Sequence, residues 1–144
     1  MYDFFLYTHS GVRWISLLLV VVLVVKSAMG VTSKSSYQKL DKTLATVFVG
    51  TMHLQFLMGL ILYFFLSPWT TNNFVKLKVA MKIPDVRFWM VEHITIMIAA
   101  VALAQVGSTL AKKAKSNPDK FKKQLIFFGL SLVCMLIGIP WDRL

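Results

Sequence analysis

Three histidines are scattered over three long apolar stretches of the chain: His9, His53 and His93. In hydrocarbon an imidazole is a costly replacement for leucine, so an ionisable residue at such a position points to function. Imidazole nitrogen binds iron, zinc and copper, and two imidazoles on neighbouring helices can hold a haem iron from its two sides. His53 and His93 are the first candidate pair of ligands. His9 with His93 is the other, nearer the membrane surface. Glu92 stands beside His93 and could carry protons. It points about 100° away from its neighbour on a helix, so it also suits an ion pair with Arg13. Arg13 and Arg87 lie at the end where the carboxylates of a porphyrin would need cations.

The non-haem alternative draws on the same groups. His9, His53, His93 and Glu92 are chemically sufficient for zinc, iron or copper, with His53 and His93 at the centre of the set. Depth opposes it, because His9 and His53 begin roughly 17 Å apart along the membrane normal at 1.5 Å per helical residue. The corresponding offset of His53 from His93 is roughly 7 Å, which tilt can absorb. The single cysteine, Cys134, excludes an intrachain disulfide, a cysteine zinc cluster and covalent c-type haem attachment.

The elements that must position these groups are membrane helices. The 144 residues are 57% hydrophobic, with mean hydropathy +0.67. The apolar runs match the roughly 20 residues needed to cross a bilayer. Helices are expected at about 5–31, 44–66, 88–110 and 124–139, in a single all-α integral membrane domain covering 1–144. The expected architecture is an up-and-down four-helix bundle. Ser67-Pro68 stops the second helix, since proline cannot extend the hydrogen-bond ladder. Between Trp69 and Arg87, the mixture of Phe74, Val75, Leu77 and Val79 with Lys76, Lys78 and Lys82 predicts a short interfacial helix. Asn117-Pro118-Asp119 reads as a turn. The first run lacks the basic start and cleavage site of a signal peptide, so it reads as a retained helix.

A formal charge of +10 would suggest nucleic acid in a soluble protein. Here the cations sit at helix ends and in loops, which favours anionic lipid over nucleic acid. Ten of the sixteen basic residues fall on or beside the first and third loops. That bias predicts cytoplasmic loops one and three, with both termini outside. Trp14, Trp69, Trp89 and Trp141 all fall at the predicted outer boundary, as an interfacial aromatic belt should. Gln55, Gln105, Thr46, Thr51, Thr95 and Ser131 read as ordinary helix-packing residues.

Several short segments carry a resemblance: His9-Ser10-Gly11-Val12-Arg13-Trp14, Met52-His53, Gly59-Leu60-Ile61-Leu62-Tyr63, Arg87-Phe88-Trp89 with Glu92-His93, and Gly138-Ile139-Pro140-Trp141. The chain resembles a family of small bacterial four-helix membrane proteins commonly labelled cytochrome B. The resemblance implies a haem-related redox protein of the bacterial inner membrane, with His9, Arg13, His53, Glu92 and His93 at its functional end. The leading expectation is therefore a membrane protein with one b-type haem, transferring electrons to or from a quinone. The other expectations are a non-haem metal protein and a non-catalytic subunit docked to other membrane subunits.

Overall fold

The computed structural model describes residues 1–144, with the side chain of Val75 outside the described residues. The chain is all-α, and four of its helices are long and apolar enough to cross a membrane. By that measure it is a multi-pass membrane protein. Helix α1 spans Tyr2–Thr32. It ends where Lys34 takes a left-handed conformation (φ 52°) and Ser35 N–H returns to the Gly30 carbonyl. Helix α2 runs Lys39–Ile61. It begins earlier than the hydropathy suggests because Asp41 caps it: the Gln38 N–H donates to Asp41 Oδ2 at 2.8 Å. The Asp41 carboxylate also meets Lys26 of α1 at 3.4 Å.

A wider turn, Leu62–Leu66, extends α2 to the Ser67-Pro68 stop, with the Ser67 N–H bonding five residues back to Leu62. The expected interfacial helix is replaced by three short pieces: α3 (Pro68–Thr71), a 3₁₀ turn (Phe74–Lys76) and α4 (Leu77–Ala80). The backbone of Val75 belongs to that 3₁₀ turn; its expected place on an interfacial face lies outside what is described. A single turn, α5 (Pro84–Arg87), leads through a second wide turn (Phe88–Glu92) into α6 (His93–Lys113).

Helix α7 spans Asn117–Gly138. The predicted Asn117-Pro118-Asp119 turn is instead its first turn. Ser116 is the N-cap and its hydroxyl accepts from the Asp119 N–H. Proline at the helix start loses no hydrogen bond, because those N–H groups have no intrahelical partner. The helix therefore begins before the apolar run at residue 124, because its first turns are polar.

The long helices form a square in which α1 touches α2 and α7, and α6 touches α2 and α7. The bundle interior is made of small and polar side chains around a few large ones. Ala45, Ala100, Ala104, Ser16, Ser27 and Ser131 are buried, and Phe48 meets Phe128 across the diagonal at 5.2 Å. Leu18, Leu57, Val106, Leu130 and Ile137 face outward. This distribution suits lipid, where helices associate through close contact of small residues rather than by burying leucine.

The candidate functional site

One end of the bundle holds a cavity of about 810 Å³ between the start of α1, the last turns of α2 and the start of α6. His9, Arg13, Gln55, Trp89 and His93 line it, with Phe56, Leu60 and Met97 as apolar walls. His9 and His93 face one another from the diagonal helices α1 and α6. Their ring centroids are 6.4 Å apart, with planes inclined at 69°.

Each ring is fixed through Nδ1 to a main-chain carbonyl. His9 Nδ1 donates to the Gln55 oxygen of α2 at 3.1 Å. His93 Nδ1 donates to the Gly138 oxygen at 2.8 Å. Gly138 closes α7, so its carbonyl has no helical partner and the imidazole supplies one. A carbonyl only accepts, so both protons are on Nδ1 and both Nε2 atoms carry free lone pairs. Neither Nε2 has a hydrogen-bond partner among the described residues.

Local sequence permits these placements. A Cβ on Gly59 would stand 3.1 Å from His9 Cε1, so the His9 ring lies directly over the α2 backbone. A Cβ on Gly138 would fall 2.1 Å from the methyl of Met97 and 3.2 Å from Ile96, which brings α7 close enough for His93 to reach its end. Trp89 packs edge-on against His93 at 5.4 Å. The wide turn at Phe88–Glu92 precedes His93 and sets its direction; such turns recur near functional sites. Within that turn the Met90 carbonyl accepts from the Tyr63 hydroxyl at 2.8 Å.

Arg13 stacks beside Trp14, with its Nε buried and unpartnered. The side-chain oxygen of Gln55 is likewise buried and unpartnered. An unpaired guanidinium and an unpaired acceptor in one apolar cavity are costly unless a ligand meets them.

Other expected site residues go elsewhere. His53 is exposed on the outer face of the bundle, bonded to Gln105 at 2.9 Å, and does not line the cavity. The expected His53–His93 pair is therefore not brought together; helical phase carries His53 outward while Met52 points in. Glu92 pairs with Arg87 at 2.8 Å, not with Arg13. The wide turn puts residues five apart on one side. Arg87 also donates to the Met81 carbonyl, and neither partner of the ion pair lines the cavity. Arg143, unremarked in the sequence, does line it, but it is paired with Asp85 and Asp142. Among the described residues, no three His, Cys, Asp or Glu side chains converge as metal ligands. Gln55, Gly59 and Gly138 are site residues to which sequence reasoning gave no role; the polarity of Gln55 within an apolar run and the two resemblance segments that begin with these glycines were their signals.

No family model, curated protein or solved structure matches the chain.

Proposed function

We propose that the chain is a membrane cytochrome-like protein that holds one b-type haem between His9 and His93. The observation that carries this reading is the pair of facing imidazoles, each anchored through Nδ1 and each with a free Nε2. Metal-binding histidines are typically oriented by such a bond from the second nitrogen. The spacing also fits. A metal held by both rings through bonds of about 2 Å, with about 1 Å more to each ring centre, would set the two imidazoles about 6 Å apart. The rings here are 6.4 Å apart. The cavity is of a size suited to a cofactor.

In this reading His9 and His93 hold the iron. Arg13 would offer its unpaired Nε to a propionate, and Gln55 brings an unpaired acceptor to the same cavity. Phe56, Leu60, Trp89 and Met97 keep water from the ring faces. Arg87 and Glu92 neutralise each other and steady the wide turn before His93, in place of the propionate and proton-carrying roles expected from sequence. A bound haem would supply one-electron transfer, and a lipid-soluble quinone is the partner that a protein dominated by membrane helices can reach. Two imidazoles alone are a poor set for zinc or non-haem iron, which favours haem over that alternative. The family resemblance supports a bacterial inner membrane. The lysine bias supports an outward-facing site with the loops at 33–38 and 114–116 in the cytoplasm.

The test is a reduced-minus-oxidised visible spectrum of detergent-purified protein made with ample haem. Wild type should show a Soret band and a sharp low-spin α band. His9→Ala and His93→Ala should each lose the low-spin signature, while His53→Ala should keep it. A colourless wild type, or full haem content in both ligand variants, overturns the proposal.

A further inference from the structure

His53, Gln105 and Thr109 form a hydrogen-bonded row on the outer face between α2 and α6. His53 Nε2 lies 2.9 Å from Gln105 Oε1, and Gln105 Nε2 donates to Thr109 Oγ1 at 3.1 Å. An amide oxygen only accepts, so the His53 proton is on Nε2 and Nδ1 keeps a free lone pair. The Gln105 amide has a second N–H. Neither this donor nor the His53 acceptor has a partner among the described residues.

Their surroundings are hydrocarbon-facing. Leu54 is 46% exposed, Ile98 48% and Val106 43%. His53 falls at the middle of the Lys39–Leu66 span. Lipid tails satisfy neither an acceptor nor a donor at that depth, and each unmet group costs free energy. One turn before His53, a Cβ on Gly50 would meet nothing within 4 Å, which leaves an open shelf on the same helix.

We propose that this α2/α6 face docks a second copy of the chain about a two-fold axis in the membrane. A patch with one free acceptor beside one free donor is its own complement under two-fold symmetry. His53 Nδ1 of each copy then accepts from the Gln105 amide of the other, and the bare backbone at Gly50 allows the close helix approach that membrane interfaces use. A lipid tail could satisfy neither group. The inference is independent of the haem reading, since no residue of the row lines the cavity.

The experiment uses the full chain in lipid vesicles, labelled in two separate pools. Energy transfer between pools is followed as the protein is diluted with lipid. Wild type should show a dimer. His53→Leu and Gln105→Leu should each weaken it by about tenfold or more, through loss of both reciprocal bonds. Mixing the two variants should recover part of the lost association, because the mixed pair retains one bond: the Gln105 donor of the first with the His53 acceptor of the second. Visible spectra and circular dichroism of the variants should match wild type. A wild type that stays monomeric at every lipid ratio overturns the proposal. So does a mixture no stronger than either variant alone, or variants that dimerise as wild type does.

Discussion

The His9 ring lies on Gly59 with almost no spare room. Replacing that glycine should therefore separate site geometry from fold stability. Alanine favours helix over glycine by about 1 kcal/mol, so Gly59→Ala should unfold no more readily than wild type. Its methyl should nevertheless push His9 by a few tenths of an ångström and lengthen the bond to the Gln55 carbonyl. On the proposed haem reading the expected result is lower haem retention on dilution, with thermal unfolding in detergent held or improved. Unchanged haem retention would show that the His9 position has slack. The sequence showed which residue types matter here but not how they pair. His53 and His93 are equally conspicuous as intramembrane imidazoles, and depth counting put them within reach. Helical phase decides otherwise, and phase is hard to read from α1 and α2 because apolar side chains surround them on every side.

The contact between α6 and α7 rests on a second kind of glycine. A Cβ on Gly107 would stand 2.5 Å from the Phe127 Cβ and 3.2 Å from Phe128, close to the α7 backbone. Gly107→Ala should force the two helices apart. Overpacking of this sort costs about 1–3 kcal/mol, which outweighs the gain in helix propensity. A Cβ on Gly129 of α7 would meet nothing within 4 Å, so Gly129→Ala should be neutral or stabilising. Thermal unfolding of the two variants in one detergent checks the contrast. If they behaved alike, the closeness of α6 and α7 would not depend on Gly107. The long helices were legible because hydropathy reports the bilayer crossing directly. Their starts at Lys39 and Asn117 were not, since polar capping residues such as Asp41 and Ser116 resemble loop. The wide turns at Leu62–Leu66 and Phe88–Glu92 leave no mark in hydropathy at all.

The bundle closes differently at its two ends. Opposite the cavity, Gln124 donates to the Tyr37 hydroxyl at 2.5 Å and accepts from Ser27 at 3.2 Å. Tyr37 also packs edge-on against Phe121 at 5.2 Å. Burial, aided by the Asp41 carboxylate, pushes the Tyr37 phenol above its ordinary range. A folded-state value raised above the unfolded one means that the buried neutral phenol contributes fully below about pH 10. The contribution falls as pH rises from there through the folded-state value. Tyr37→Phe should lose that part of the alkaline destabilisation. Detergent unfolding midpoints between neutral pH and about pH 11 would show it. Parallel decline in both proteins would assign the loss to other groups. The up-and-down arrangement was legible from four apolar runs and short loops. The square order around the axis depends on buried contacts such as Phe48 with Phe128, which no run of residues announces.

Both imidazoles at the open end are tied to carbonyls of the main chain, at residues 55 and 138. Truncating the Gln55 side chain would therefore leave the acceptor of the His9 tie in place. Substitutions at Gln55 would report on the amide group in the cavity and leave the His9 bond in place. Changes that crowd a ring, such as Gly59→Ala, or that slide or turn a helix, such as a residue inserted into α2 or α7, are what reach these bonds. Tolerance to substitution at position 55 would thus say little about how firmly His9 is held, whereas any side chain at position 138 would press on Met97 and shift the carbonyl that holds His93.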